Sequence, residues 1–377
     1  MRILAGSMAI AALAGASPGL AQPRVRLAVD GSVFHSDNPF LLAGGNRGSA
    51  AVEAGIEPGI DWQVGHATSL DVSGTLRMRR YERQYGEFVT GGVDAHIRHR
   101  DSERLTLRGT LGYSRALPTD ALTGGLDAAV DTRTVRETLS AGAFADWSPG
   151  PVTRIDAALG ATRTRYPGSA LLQPINAYDF SITLLRRMSA RTTAGLAGQM
   201  TISDSPATGT LSAKAVRLTL TQRLSETWRA DAQAGLEWGG VPDIPGIPGG
   251  GRIPSPRFTG TGSLCNETVR FMLCLSAALR SQASALTGLQ RELTVGGNAE
   301  IRLSERGRLS LTADYRQARG AAVPLDLLRA SAGYEHRLGQ RLSLSGGVDY
   351  LRRTQADSGR VGAAIFHVTL TFRGPRR

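Results

Sequence analysis

The stretch VRLTLTQRLSETWRADAQAGLEW, residues 216–238, decides the fold. Val216, Leu218, Leu220 and Leu224 alternate with Arg217, Thr219, Thr221 and Arg223. Then Trp228, Ala230, Ala232, Ala234, Leu236 and Trp238 alternate with Arg229, Asp231, Gln233 and Glu237. A period of two belongs to β-strands. A turn at Ser225–Glu226–Thr227 pairs Leu224 with Trp228, Leu220 with Ala232 and Val216 with Leu236, all on one face. In a water-soluble sandwich that face would have to fill a core at crystal-like density, which a run of Ala and Gly does badly. Against lipid tails small apolar residues meet no such demand. The apolar side is therefore expected to point outward and the charged side to line a wet lumen.

The same alternation recurs along nearly the whole chain, at about 20-residue spacing. Strands are expected at 25–36, 49–65, 68–81, 87–99, 103–115, 132–147, 152–166, 177–188 and 192–203. Further strands are expected at 210–224, 228–240, 256–265, 268–281, 289–303, 308–318, 323–338, 342–353 and 361–372. No helical periodicity competes. Every second connection is tight, as in MSART (188–192), LSETW (224–228), LSERGRL (303–309) and LGQRL (338–342), with Gly307 suited to a left-handed turn position. The others are longer and rich in Gly and Pro, as in DNPFLLAGGNRG and YPGSALLQPI. This layout predicts an all-β fold, a transmembrane antiparallel up-and-down β-barrel of about 18 strands (16–18), with short periplasmic turns and longer extracellular loops. In the closing strand, Phe366, Val368, Leu370 and Phe372 form one apolar face, like the signature by which outer-membrane barrels are taken up for assembly; the chain continues past it as GPRR.

Bulk properties fit once this geometry is allowed for. The chain has 377 residues, 41% of them hydrophobic, and a mean hydropathy of −0.14. A barrel shows lipid only every second residue, so its apolar signal cancels in any average. The net charge of +12 is carried almost wholly by arginine, Lys214 being the single lysine. No basic helix, zinc spacing or aromatic–basic stacking motif accompanies it, so nucleic acid is not an expected partner. Residues 1–21 read as a secretory signal: Arg2, an apolar run from Ile3 to Ala14, then Gly19 and Ala21 before a cut after Ala21. The run is far shorter than the roughly 20 residues that span a bilayer. Residues 22–377 then form one barrel domain.

The lumen face carries the candidate site. Glu53, Glu57 and Asp61 on the second strand oppose Arg77 and Arg79 on the third, and a turn near His66 sets Glu57 opposite Arg77. Asp94 and His96 follow on the fourth. Opposed acidic and basic rows create a transverse field like that of a channel constriction; the plainer reading is a set of ion-pair ladders that satisfy charge inside a barrel. Elsewhere Arg108, Arg136, Arg154, Arg217 and Arg302 are offset by Asp146, Asp156, Asp231, Glu300 and Asp349, so anion selectivity does not follow from net charge. Much of the surplus lies at strand ends. Arg186, Arg187, Arg191, Arg306, Arg308, Arg341, Arg376 and Arg377 are placed at the turn end. Arg163, Arg165, Arg352 and Arg353 are placed at the loop end, within reach of lipopolysaccharide phosphates. Cys265 and Cys274 stand too far apart to bond if the chain turns at Asn266–Glu267; a bond needs an eight-residue loop instead. Both outcomes stay open. A G-x-S-x-G match at 15–19 lies in the signal, the histidines show no metal-ligand spacing, and His96 beside Asp94 has no serine partner. No catalytic residue, cofactor or metal is expected. The Pro/Gly-rich segment 241–257 folds inward as a plug or lies outside, the latter being the expectation.

The first strand ending in SDNPF, the GIEPGIDW strand and repeats of the RLSERGRLSLTADY kind resemble the outer-membrane β-barrels found with exopolysaccharide and capsule gene clusters of Gram-negative bacteria. That resemblance implies a noncatalytic role in exopolysaccharide production or export. It also implies the bilayer, lipopolysaccharide, polysaccharide, export machinery and the barrel-assembly machinery as partners. The residues themselves leave two other readings: a general diffusion porin for small polar solutes, and a closed structural or adhesive barrel. Few aromatics are placed in the lumen, Phe144 being one, which counts modestly against a dedicated glycan channel.

Overall fold

A computed structural model describes residues 22–44, 48–83, 85–117, 134–206, 208–239, 256–285, 288–319, 325–355 and 359–375. The expected signal at 1–21, most of the Pro/Gly-rich segment 241–257, Arg376 and Arg377 lie outside the described residues.

The alternation folds as expected. The strands are β1 (Arg24–Ser36), β2 (Ser49–Val64), β3 (Thr68–Tyr81), β4 (Glu87–Arg100), β5 (Leu105–Ala116) and β6 (Arg136–Trp147). Next come β7 (Thr153–Arg165), β8 (Ile175–Arg187), β9 (Thr192–Ser205), β10 (Gly209–Arg223), β11 (Trp228–Gly239) and β12 (Arg257–Glu267). The last are β13 (Phe271–Ser284), β14 (Gly288–Arg302), β15 (Gly307–Arg319), β16 (Leu325–Arg337), β17 (Leu342–Gln355) and β18 (Gly359–Arg373). Each pairs antiparallel with its neighbours in sequence, and β1 pairs with both β2 and β18, closing an 18-stranded sheet. Closure leaves no row of bare backbone groups at a sheet edge.

The hairpin of 216–238 shows which side is dry. Val216 pairs with Leu236 and Leu220 with Ala232, and the Leu224 N–H donates to the Trp228 carbonyl. Leu218 is 70% exposed on the outside, whereas Arg217 and Thr219 are 7% and 8% exposed on the inside. The inversion holds around the barrel: Val33, Ile56, Leu111, Leu159, Phe180, Leu275, Phe366 and Phe372 all face out. A closed sheet that is apolar outside and charged inside satisfies every backbone group internally, the condition for crossing a bilayer as strands.

Three of the tight connections share one chemistry. In 303–307 the Leu303 N–H donates to the Gly307 carbonyl, and the Ser304 Oγ accepts from the N–H groups of Arg306 and Gly307. Ser189 and Ser225 cap their turns in the same way. Gly307 does not take the expected left-handed conformation. It is the first residue of β15, and a Cβ there would lie 2.7 Å from the Tyr334 hydroxyl, so close approach accounts for the glycine.

Three further expectations are corrected. Arg77 pairs with Gly55, two residues from Glu57, and the register lapses at Glu57 and Pro58 before resuming at Gly59–Ser73; Pro58 has no N–H to give the ladder. The β12–β13 hairpin does not turn at Asn266–Glu267. Its strands run on to Glu267 and from Phe271, which puts Cys265 directly opposite Cys274, and the two are disulfide-bonded without an eight-residue loop. Arg353 does not reach the outer rim: it points inward, is buried, and donates to the Leu41 carbonyl at 3.2 Å.

The larger buried apolar side chains gather at the loop end, in three small clusters. Leu41 packs with Ala318, Leu325, Leu327, Leu351, Val361 and Ala363 on the inner faces of β15–β18. Phe40, the preceding residue, packs the other way, with Ala51, Tyr81 and Leu117 by β2, β3 and β5. Tyr166, Leu172, Ile175 and Ala285 join the ends of β7, β8 and β13.

Candidate functional site

The lumen wall is built by strand parity: every second residue points inward, and most of those residues are Ser, Thr, Asn, Gln, Arg, Asp and Glu or small residues, with a few aromatic and aliphatic side chains such as Phe34 and Phe144 among them. On β1–β3, Glu53 is 4% exposed and accepts from Arg79 Nε at 2.7 Å and from an Arg77 terminal nitrogen at 3.3 Å. Arg77 also reaches Glu57 at 2.6 Å and Asp30 at 3.7 Å, and Arg79 lies over the Phe34 ring. The acidic and basic rows therefore sit side by side on one arc of wall as an ion-pair ladder, not across the lumen from one another. Asp61 belongs to a second group nearer the turns, where Arg26 bridges it at 2.8 Å and Asp71 at 2.6 Å. His96 is in register with Asp71. Asp94 lies one inward position further from the turns, beside Gly112.

Similar ladders recur around the interior. Arg154 bridges Asp146 and Asp156, Arg308 bridges Glu300 and Glu335, and Arg329 meets Asp349. Arg108 joins Asp146 and covers the Phe144 ring. The wall is mixed in sign throughout. Among the described residues no group of His, Cys, Asp and Glu is arranged to hold a metal ion.

Replacing Glu53 by Gln leaves the Arg79 and Arg77 guanidiniums beside a neutral amide. We expect a loss of about 3 kcal/mol, the lower end for breaking a buried pair, because Arg77 keeps Glu57 and is partly wetted. The denaturant midpoint of the micelle-held protein measures it; an unchanged midpoint would show that the ladder contributes nothing to stability.

Two features narrow the interior. First, β13 and β14 come into contact with β8, β9 and β10. Four strand spacings on a round wall would separate β9 from β13 by about 19 Å, so the wall is creased here. Inside the crease Arg217 donates to Gln199 at 2.7 Å and Thr259 at 3.2 Å. Glu237 accepts from the Ser281 N–H at 3.2 Å and from its hydroxyl. A recess between the two arcs has Arg136, Thr162 and Asp179 on one side and Arg280, Gln282 and Glu292 on the other.

Second, the β1–β2 loop folds into the mouth instead of away from it. Asn38 organises the loop: its carbonyl accepts from the Leu41 N–H at 3.1 Å, its side-chain oxygen accepts from the Leu42 N–H at 2.9 Å, and its amide donates to the Leu42 carbonyl at 3.0 Å. Asp37 accepts from the Ala364 N–H at 2.8 Å, fixing the loop to β18. Leu41 takes φ +50°, a conformation costly for a side-chain-bearing residue, and it is held there by complete burial. The loop-end mouth is thus bridged at Phe40–Leu41 and again at Tyr166–Ala285. The sequence signal for the first bridge was the apolar triplet Phe40–Leu41–Leu42 inside an otherwise polar, Gly-rich connection.

No family model matches the sequence, and no curated protein is similar to it. Solved structures resemble the fold. Pseudomonas aeruginosa OccK2 (OpdF), crystallised in complex with glucuronate, matches with 9% identity and a TM-score of 0.50, over 94% of this chain and 99% of that one. The outer membrane protein OpdK of Pseudomonas aeruginosa matches at 10% identity with a TM-score of 0.48, over 94% and 99% of the two chains. Acinetobacter baumannii OccAB2 matches at 7% and 0.49, over 94% and 98%. At such identity the likeness is one of fold. The chain is a closed, 18-stranded antiparallel β-barrel of the membrane-spanning kind.

Proposed function

We propose that the chain is a noncatalytic diffusion channel of the outer membrane for small polar solutes, narrowed at its loop-end mouth. The observation that carries this reading is the pairing of an apolar exterior with a lumen wall of ion-pair ladders in a sheet of 18 strands, a strand number that leaves room for an aqueous channel. Short turns then lie in the periplasm and the longer loops outside, where lipopolysaccharide surrounds the barrel. The barrel-assembly machinery remains the expected partner during biogenesis, with residues 1–21 as the export signal. An exopolysaccharide-export role is less well supported. Sugar rings slide along exposed aromatic faces, whereas among the described inward aromatics Phe34 and Phe144 are each covered by an arginine and Phe40, Tyr81, Tyr85 and Phe88 pack on one another at the mouth.

Planar-bilayer recording of the purified protein tests the proposal. Discrete current steps that scale with bulk salt are expected; a reconstituted barrel that passes no current would refute the channel and favour a closed structural role. Deleting the gene and measuring secreted polysaccharide tests the export role separately.

A further inference from the structure

The surplus positive charge has a definite place. Along the turn end of β8–β18, backbone hydrogen bonds of 2.8 Å join arginines from neighbouring hairpins: Arg223 to Arg191, Arg302 to Arg270, Arg337 to Arg306 and Arg373 to Arg341. In each couple one arginine sits in a turn. The other is the last inward-facing residue of the adjacent strand. All eight are exposed. Arg373 has Glu335 at 3.6 Å; the other seven have no ion pair among the described residues. Like charges set side by side are destabilising unless something between them is negative. Here the arrangement is repeated in three successive hairpins from β12 to β18, while between them and the Arg191–Arg223 couple Glu267 and Thr227 take the equivalent places. Between two of the couples, Arg270, Arg302, Arg306 and Arg337 surround a recess that also contains Arg308. Arg308 is already held by Glu300 and Glu335, which leaves four arginines facing the single further carboxylate of the recess, Glu305.

Paired guanidiniums bind phosphate or carboxylate oxygens through parallel N–H donors. The direction of the strand-end members decides the source of those oxygens. Arg223, Arg302 and Arg337 share the inward parity of Arg217, Glu300 and Glu335, so they face the aqueous mouth and not the lipid. From the Arg270–Arg302 couple onward, successive couples lie two strands apart, about 10 Å along the rim, a spacing that suits a ligand with repeated charges better than a single small anion; the Arg191–Arg223 couple stands four strands from the next. We infer that the turn-end rim over β12–β18 is a binding site for a water-borne polyanion carrying phosphate or carboxylate groups. The inference rests on the reading of this mouth as open to water, and it adds a class of ligand to it.

The test uses the full-length protein in detergent micelles, inorganic polyphosphate as probe, and binding as readout, so that it stands apart from conductance. Polyphosphate is expected to bind about a hundredfold more tightly than orthophosphate, as multivalency requires, and R302Q/R337Q to weaken it about tenfold or more. The variant R163Q/R165Q, on the outer face at the opposite rim, should bind as the parent does. Thermal unfolding of each variant confirms an intact barrel. Equal losses in both variants would reduce the effect to general electrostatics and overturn the site, as would a failure to prefer polyphosphate over orthophosphate. If R302Q/R337Q instead abolished binding to phosphatidylglycerol vesicles and left polyphosphate binding unchanged, the anion would be a lipid headgroup and the inference would fail. Absence of current with intact polyphosphate binding would sink the channel reading alone.

Discussion

Replacing Phe40 and Leu41 together by serine is expected to raise single-channel conductance several-fold while leaving the barrel folded. Both side chains are almost wholly buried, and they anchor one short loop to two separate arcs of the inner wall. Burying a residue of this size contributes about 1.5–3 kcal/mol. Losing both therefore shifts the balance between docked and released loop by about two to four powers of ten, at 1.4 kcal/mol for each tenfold. The wall keeps its ladders, so thermal unfolding should move little. R353L is a second route to the same state, since it removes the buried donor to the Leu41 carbonyl. If neither variant alters the current, the loop lies aside from the conducting path and the mouth is narrowed elsewhere.

The second large effect is a matter of which side is dry. Val216 lies near the middle of β10 and faces out. An arginine there would stand in hydrocarbon, at a cost of about 2–4 kcal/mol near the midplane of a barrel. V216R should therefore reduce the yield of correctly inserted barrel and lower its unfolding free energy in lipid by that amount. In a water-soluble sheet protein with the same outer face, the change would be harmless or would improve solubility. Measuring refolding into vesicles separates the two; full recovery with unchanged stability would mean that this face does not meet lipid.

The strands were legible because each reports its period independently of its partners. All 18 occur near the places expected, with differences at the ends such as Arg136 for 132 and Phe271 for 268. The outward direction of the apolar face was legible too, from the poverty of Ala230, Ala232 and Ala234 as core material. Register was less so. A turn of uncertain length shifts a pairing by an even number of residues without changing the face, which is why Arg77 meets Glu57 diagonally and Cys265 meets Cys274 directly. Glu53, Glu57, Arg77 and Arg79 come together as their parity suggests and Asp94 lines the same recess, whereas Asp61 and His96 lie apart from them. The orientation of Arg353 was misjudged because adjacent arginines at 352 and 353 must face opposite sides of one strand. The crease at β8–β14 left almost no sequence trace, since it depends on how distant arcs of wall approach, and the inward course of the β1–β2 loop left only the apolar triplet Phe40–Leu41–Leu42.

The ladder between β1 and β18 carries one more consequence. Its partners, Ala28–Ser36 and Ile365–Arg373, lie at opposite extremes of the chain, so the ring has no seal until the final segment arrives. A polypeptide cut short before Gly359 would keep a ribbon with two raw margins and a greasy back, able to stick to its own kind but not to finish a cylinder. Loss of β18 alone would thus cost the sheet both of its seals, since β1 and β17 would each be left with one bare side.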